Sequence, residues 1–326
     1  MQILVTGASG FLGSHLIEEL SKQEDITLRA VLSKQHQQNT LPSDFLIAGL
    51  DIEVLATDWQ NPQEINEWAE GCEIVFHCES YVSFDRKAKD LMNQIHVTGT
   101  QYLLEACHKN KVQKFVYTSG MELLRPPVAD GVGNEENGVS QEDLLTPFAK
   151  IRSAGENLVL QYWRKRNLPV VITHPTVLVG PKDEEITLFG QYLLKLLKLE
   201  SKFLIETGLN LIDVRDAAKG HLLAAKLAKP GSRFILGNKN VYLSELVSKV
   251  EELSGVPCPR TILPYWMAQW GNRLSRRFPP GLIQQLKRPL FFDANKAVTE
   301  LKMPQNDVWK ALRQEIEYFK RKGLGP

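Results

Sequence analysis

The stretch Thr6-Gly7-Ala8-Ser9-Gly10-Phe11-Leu12-Gly13 decides the fold of this chain. It follows the apolar residues 3–5, which form a predicted strand, and precedes residues 15–20, whose apolar side chains recur at helical spacing. In such a strand–turn–helix setting the first glycine allows a tight turn. The second lets a diphosphate approach the backbone, and the third lets the helix pack on the sheet. We therefore predict that a dinucleotide contacts the turn through Gly7, Ser9, Gly10, Phe11, Leu12 and Gly13.

Strands and helices alternate along the first half of the chain. Further predicted strands lie at residues 27–32, 53–56, 74–78, 114–118 and 170–173, and predicted helices at 64–70, 89–109 and 148–166. The strands are continuously apolar, as expected for strands buried on both faces. This pattern predicts an α/β fold, a doubly wound parallel sheet of the Rossmann type with helices on both faces.

The pattern changes after Gly180-Pro181. Predicted helices at 188–199, 214–227 and 243–253 alternate with short predicted strands at 233–236 and 261–263, joined by turns rich in proline and glycine. We predict a nucleotide-binding domain over residues 1–180 and a smaller C-terminal substrate lobe over residues 181–326, with parts of the sheet contributed by both. Trp266 and Trp270 lie one helical turn apart in the lobe, either in its core or lining an apolar substrate pocket.

Composition narrows the class of protein. The chain has 326 residues and a formal net charge of +1, which gives no basic footprint for nucleic acid. Its 4 cysteines form no Cys-x-x-Cys pair, so we expect reduced thiols and no metal site. We see no basic and apolar leader and no apolar run of membrane-spanning length. We therefore expect a cytoplasmic protein without a membrane span.

The second predicted strand ends Val31-Leu32-Ser33-Lys34. Proteins that bind NAD usually place an Asp or Glu there, which accepts hydrogen bonds from the free ribose hydroxyl. A carboxylate would repel a 2′-phosphate, whereas Ser33 and Lys34 would hold one. The sequence therefore favours NADP(H) over NAD(H).

Several other stretches carry a family resemblance. They include Ala56-Thr57-Asp58, Val75-Phe76-His77, Val97-Thr98-Gly99-Thr100, Thr207-Gly208-Leu209-Asn210-Leu211-Ile212-Asp213-Val214-Arg215-Asp216-Ala217-Ala218-Lys219-Gly220-His221, Arg233-Phe234-Ile235-Leu236-Gly237-Asn238 and Phe292-Asp293-Ala294-Asn295-Lys296-Ala297. Together with the glycine turn they resemble the extended short-chain dehydrogenase/reductases. The later stretches look like the dihydroflavonol-reductase-like group, especially its hopanoid-associated sugar epimerase branch.

The resemblance implies further cofactor contacts. Asp58 matches the acid on the adenine amino group, with Trp59 beside it. Cys78, Glu79 and Ser80 match the backbone that passes the diphosphate and ribose, and Pro175 to Val177 match the turn that lines the nicotinamide. Many relatives pair the helices at 89–109 and 148–166 across a homodimer, where Ser153, Ala154 and Gly155 would permit close approach.

The catalytic positions depart from the family pattern. The family uses a Ser or Thr, a Tyr, and a Lys four residues after the Tyr. The Lys also binds the nicotinamide ribose. Here Phe148 stands at the Tyr position and Arg152 at the Lys position, in a register fixed by Pro147. Gly120 stands at the Ser/Thr position, or Ser119 if the register shifts by one. A phenylalanine cannot transfer a proton, and an arginine does not reproduce a lysine's point charge.

Three functions therefore remain open. The first is an enzyme that acts on a small apolar carbonyl or hydroxyl compound, with its acid or base relocated to Glu79, His96, Tyr81 or His174. His96 replaces a usual Asn, although a buried histidine is also common as a packing residue. The second is a non-redox cyclase or isomerase on the same scaffold. The third is a nucleotide-bound binding or regulatory protein without turnover.

Overall fold

The computed structural model describes residues 1–33, 52–57, 59–83, 85–124, 131–136, 138–140, 142–275 and 288–326. Ten strands are present in these residues: β1 Gln2–Thr6, β2 Thr27–Ser33, β3 Ile52–Thr57, β4 Ile74–His77, β5 Lys114–Thr118, β6 Val170–Pro175, β7 Val177–Val179, β8 Gly208–Asp213, β9 Arg233–Leu236 and β10 Lys239–Tyr242. Seven of them form one sheet in the order β3-β2-β1-β4-β5-β6-β9, and every neighbouring pair is parallel. The predicted doubly wound parallel sheet is confirmed.

The helices of the described residues are α1 Phe11–Leu20, α2 Pro62–Ala69, α3 Lys89–Asn93, α4 Thr100–Lys109, α5 Pro147–Arg166, α6 Leu188–Leu197, α7 Val214–Leu227, α8 Leu243–Ser254, α9 Tyr265–Ser275, α10 Asn295–Glu300 and α11 Val308–Arg321. Helices α1 and α7 cover one face of the main sheet, and α2, α4 and α5 cover the other. Consecutive strand residues serve both cores: Leu4 packs on the α2–α4–α5 side and Val5 on the α1–α7 side. This alternation explains why the strands are apolar throughout.

The predicted helix at 89–109 is divided. A π-helical segment, Gln94–Gly99, joins α3 to α4, and a glycine in α5 packs against it. A Cβ on Gly155 would collide with the carbonyl oxygen of His96, so the absence of a side chain lets the two helices approach closely. π-Helical segments often occur at functional sites. His96 lies within this segment.

The strand predicted at 233–236 lies in the main sheet rather than in the lobe. It is β9, the seventh strand, and it pairs with β6 from Ile172–Arg233 to Pro175–Leu236. Helix α7 precedes it and packs against α1. The chain thus returns from the lobe to complete the main sheet before leaving it again. The strand predicted at 261–263 is reduced to one bridge between Leu204 and Ile262.

The C-terminal lobe is a smaller unit with its own core. Strands β10, β8 and β7 form a three-stranded sheet, and α6, α8 and α11 pack against it. Trp266 and Trp270 are not part of this core, since each side chain is 66% exposed. Across the described ranges, no helix is both long enough and apolar enough to cross a membrane.

Candidate active site

The candidate site lies at the carboxyl edge of the main sheet. The strand order reverses between β1 and β4, which makes this edge the place where doubly wound sheets bind ligands. Four connections meet there: the glycine turn after β1, Cys78 to Ser80 after β4, Ser119 and Gly120 after β5, and Thr176 after β6. Parallel strands bring these distant segments of sequence to one edge.

The glycine turn has no room for side chains at two of its three glycines. Gly7 has φ +67°, and a Cβ there would lie 2.7 Å from the backbone nitrogen of Glu79. A Cβ on Gly13 would strike the carbonyl oxygen of Gly7, so Gly13 lets α1 pack against the turn. Gly10 has an ordinary φ of −69° and begins α1 as its N-cap. Its missing side chain leaves the helix start open.

The first turn of α1 is suited to an anion. No side chain caps it, and it contains no acidic residue, so its backbone N–H groups and partial positive charge face outward. Phe11 and Leu12 are buried beneath the turn, and Ser9 is half-buried on it. This cradle fits the diphosphate of a dinucleotide.

The other predicted cofactor residues fall into three groups. The backbone of Cys78 and Glu79 passes directly beside Gly7, and Ser80 is exposed next to them. Ser33 ends β2, whereas Lys34 and Asp58 lie outside the described residues. Trp59 is fully buried in the core against Trp68 and His77, away from the surface where a nucleotide would contact it.

The turn after β6 lies beside the end of the sheet. Pro175 is the last residue of β6 and pairs with Leu236, and Val177 begins β7. Between them, Thr176 is buried, and its backbone N–H donates to the carbonyl of Leu236 at 3.0 Å. The Thr176 hydroxyl donates to Asn210 Oδ1 at 2.8 Å. These bonds hold the backbone of the turn in a fixed position.

Arg152 is a buried cation at the centre of the site. Its Nη2 donates to the carbonyl of Thr118 at 2.8 Å, and its Nη1 donates to His96 Nδ1 at 3.3 Å. The guanidinium also lies 5.9 Å from the ring centroid of Phe148 and 5.8 Å from that of Tyr117. Phe148 and Arg152 thus share one face of α5, as their spacing predicts.

Ser119 and Gly120 point in different directions. The Ser119 hydroxyl donates to Glu156 in the buried interior. A Cβ on Gly120 would instead collide with the carboxylate of Glu122, whose Oε1 would lie 2.6 Å from it. A side chain at position 120 would therefore point toward Glu122, and the Glu122 carboxylate fills the space that such a side chain would need.

Glu122 was not predicted as a site residue. It lies on the short 3-10 turn Met121–Leu123 that follows β5, and its Oε1 is 3.5 Å from the Arg152 Nε. The Glu122 side chain is 20% exposed, whereas that of Arg152 is 4% exposed. The two oppositely charged groups thus meet at the edge of the site, where the Glu122 Oε1 that faces Arg152 is buried and the Glu122 side chain as a whole is partly exposed.

His96 is locked as a neutral ring. Its Nδ1 accepts from Arg152, so its Nε2 carries the hydrogen and donates to the carbonyl of Tyr81 at 3.0 Å. Burial, and then the charge of Arg152, hold the pKa of His96 well below its ordinary value. Phe148 covers the ring edge-on, with centroids 5.7 Å apart. The described contacts make His96 a group that positions Arg152.

A second polar network lies behind the site. Arg233 Nη2 donates to Glu156 Oε1 at 2.5 Å and approaches His174 Nε2 at 3.2 Å. His174 Nδ1 lies 3.1 Å from the carbonyl oxygen of Gly120. In the tautomer that carries its hydrogen on Nδ1, His174 donates to that oxygen and its Nε2 accepts from Arg233. Burial lowers the pKa of His174. The network ties β5, α5, β6 and β9 together and fixes the backbone that carries Gly120.

Comparisons with known proteins agree with this geometry. Residues 3–237 match the family described as the NAD dependent epimerase/dehydratase family. A putative dihydroflavonol 4-reductase from Synechocystis sp. is 28% identical, covering 98% of this chain and 94% of its own length. Sterol demethylase protein B from Methylococcus capsulatus is 25% identical, covering 99% of this chain and 100% of its own length. The crystal structure of gox2253 covers 99% of both chains with a TM-score of 0.87 and 27% identity.

Proposed function

This chain belongs to the NAD-dependent epimerase/dehydratase family, within the extended short-chain dehydrogenase/reductases, and we propose that it is an NADP(H)-dependent oxidoreductase whose acid–base group is Glu122. The substrate is a small apolar carbonyl or hydroxyl compound. Phe148, Arg152 and Gly120 replace the family's Tyr, Lys and Ser/Thr. The observation that carries the proposal is the Glu122 carboxylate, which lies beside the Arg152 guanidinium in the space above Gly120.

Glu122 has the position that an acid–base group needs. It is partly exposed, so it can exchange protons with solvent and reach a substrate oxygen at the carboxyl edge. Glu79 and His96, the acid–base candidates predicted from sequence, are almost fully buried. His174 is fully buried, and Tyr81 contacts His96 through its backbone. Glu122 is the carboxylate that combines access to solvent with a fixed cation.

The two charged groups have distinct roles in this proposal. In the oxidation direction, the Glu122 carboxylate accepts the proton of the substrate hydroxyl, and in the reverse direction it returns that proton to the carbonyl oxygen. Arg152 keeps the carboxylate in place and stabilises negative charge on the substrate oxygen. NADP(H), when bound, supplies or accepts the hydride. Gly7, Gly10 and the start of α1 would hold its diphosphate.

The preference for NADP(H) rests on the end of β2. Ser33 is the last residue of that strand, and no carboxylate stands at this position to bind a free ribose hydroxyl. A hydroxyl at the strand end, followed in sequence by Lys34, suits a 2′-phosphate through a hydrogen bond and a positive charge.

An apolar substrate is supported by the side chains around the two charges. Phe148, whose ring lies 5.9 Å from the Arg152 guanidinium, is partly exposed at the start of α5, and Met121 is partly exposed directly before Glu122. Two relatives carry names that refer to a dihydroflavonol and to a sterol, which are compounds with apolar rings. The proposed site thus offers one charged pair in apolar surroundings.

The same proposal includes a cytoplasmic homodimer. Helices α4 and α5 lie side by side on one face of the sheet, and Ala154 is exposed on α5. A small exposed residue lets a second helix approach closely, as a bundle formed by two copies of α4 and α5 requires.

Transfer of label tests the proposed reaction against its alternatives. The protein is incubated with NADPH deuterated at the transferable position and a panel of apolar ketones and aldehydes, and the products are analysed by mass spectrometry. Deuterium in an alcohol product supports the oxidoreductase. A rearranged product formed without consumption of NADPH would identify a cyclase or isomerase. Tight NADPH binding with no product from any compound would favour the third function, a nucleotide-bound binding or regulatory protein without turnover.

A further inference from the structure

An exposed apolar surface lies on the lobe, remote in sequence from the candidate site. Trp266 and Trp270 are one turn apart on α9 and are each 66% exposed. Met267 on the same helix is 42% exposed, and Ile262 on the preceding segment is 48% exposed. We call these four residues the α9 face. Phe203 is also exposed on the segment that the Leu204–Ile262 bridge places beside it.

Large aromatic side chains are rarely left in water without a purpose. Isolated exposed apolar residues are normal, but a group of them on one helix marks a surface that another apolar phase covers. The face is not required by the lobe core, which α6, α8 and α11 complete. The two tryptophans therefore contribute to something other than folding.

The surroundings of the α9 face are basic. The sequence contains no Asp or Glu between Glu252 and Asp293, although acidic residues occur throughout the rest of the chain. Within the described part of that stretch, Arg260 and Arg273 are exposed, and Arg260 pairs with Glu251 at 2.9 Å. The neighbouring segment adds the exposed Lys198 and Lys202 and one exposed acid, Glu200. The local charge complements an anionic surface.

We propose that the α9 face rests on a lipid bilayer that contains anionic phospholipids. Tryptophan side chains concentrate at the level of the lipid headgroups, where the ring is apolar and the indole N–H stays hydrated. A helix that presents such residues and has Arg and Lys around it lies in the plane of the interface. Anionic headgroups attract the basic side chains and orient the helix. The protein thus binds the bilayer at its surface and does not cross it.

Flotation of the full chain with vesicles tests this proposal. One set of vesicles consists of phosphatidylcholine, and the other of phosphatidylcholine mixed with phosphatidylglycerol. We expect the protein to float with the anionic set, to dissociate as salt is raised, and to bind the neutral set weakly. The double substitution Trp266→Ser and Trp270→Ser should lower binding to anionic vesicles by about tenfold or more, because both headgroup contacts are lost. The matched control is Leu227→Ser, which replaces an apolar residue that is 54% exposed on α7.

The other outcomes overturn the proposal. Absence of binding to anionic vesicles would do so, as would binding that the tryptophan substitutions leave unchanged. If the protein instead self-associates in the absence of lipid, and the double substitution abolishes that association, the α9 face binds a second copy of this chain. Circular dichroism and the turnover rate of the substituted protein in free solution should both match the wild type, since the two tryptophans are exposed and lie outside the candidate site.

Discussion

The carboxylate of Glu122 lies 3.5 Å from the Arg152 Nε and occupies the space into which a side chain at Gly120 would project. We propose that Gly120, Phe148 and Arg152 replace three positions of the family's catalytic set. In the structure, Gly120 makes room for Glu122, Arg152 neutralises it, and Phe148 packs over the His96 that contacts Arg152. These contacts support a rebuilt site over a set of unrelated losses.

The glycine turn yields a prediction that separates folding from binding. Gly10→Ala should lower the melting temperature only slightly, because Gly10 has an ordinary φ, although its Cβ would make a tight contact of 3.3 Å with the Gly7 carbonyl oxygen. The methyl group would stand where the diphosphate approaches, so we expect NADPH affinity to fall by roughly tenfold or more. Calorimetric titration with NADPH measures the affinity of the wild type and of the Gly10→Ala protein. Gly138→Ala, where a Cβ meets nothing within 4 Å, is the control.

The end of β2 sets the expected coenzyme preference. The wild type should bind NADPH more tightly than NADH in calorimetric titrations. Ser33→Asp should reverse that order, because a carboxylate there repels a 2′-phosphate and accepts hydrogen bonds from a free ribose hydroxyl. Equal affinities in the wild type, or an unchanged preference in the variant, would show that other residues select the coenzyme.

Acid should destabilise the protein through its buried histidines. His221 lies between the carbonyl of Ala217 and the hydroxyls of Thr118 and Thr173, and burial lowers its pKa to about 4. The unfolded chain binds the proton near the ordinary value of 6.5, so folding stability is retained above that pH and lost as the pH falls toward 4. For this residue alone the loss is about 3 kcal/mol.

His221→Gln tests that assignment, since glutamine does not titrate. Urea unfolding measured at intervals across this pH range should give a shallower decline in the free energy of unfolding than the wild type, whatever the variant's stability at neutral pH. Parallel declines in the two proteins would show that the pKa of His221 is the same in the folded and unfolded states, which would contradict the lowered pKa.

The proposed dimer places α5 against a second copy. Ala154→Arg should convert a dimer into a monomer in light scattering, because a large charged side chain would separate the paired helices. Circular dichroism should be unchanged, since Ala154 is exposed in the single chain. A wild-type monomer at micromolar concentration, on the order of typical assay conditions, would contradict the dimer.

Local pattern was sufficient to predict the sheet and the phosphate turn. Gly7, Gly10 and Gly13 recur every three residues within one short segment, and this local spacing is enough to predict their roles. Arg152 and Phe148 could be aligned because one helix fixes their separation. Sequence did not reveal Glu122, whose position depends on how the 3-10 turn after β5 folds back over a glycine. The signal that the sequence offered was an acid two residues after Gly120, the position proposed to replace a hydroxyl side chain.

Long-range packing accounts for the other differences. The place of β9 in the main sheet depends on its pairing with β6, more than fifty residues earlier, and no local signal specifies that partner. The π-helical segment around His96 depends on its contact with Gly155 of α5. Trp266 and Trp270 are predicted to lie in the lobe core or to line an apolar substrate pocket, and their helical spacing fits both. The structure instead leaves both side chains exposed.

The most direct test of the account is the turnover of Glu122→Gln at saturating NADPH, with the substrate identified in the label-transfer experiment. Glutamine keeps the shape of the side chain and removes the proton transfer, so we expect kcat to fall by roughly 10²–10⁴-fold with little change in NADPH affinity. Glu142→Gln, at an exposed position in the loop before α5, should retain wild-type turnover. A Glu122→Gln protein that turns over at the wild-type rate would contradict the role of Glu122 as the acid–base group.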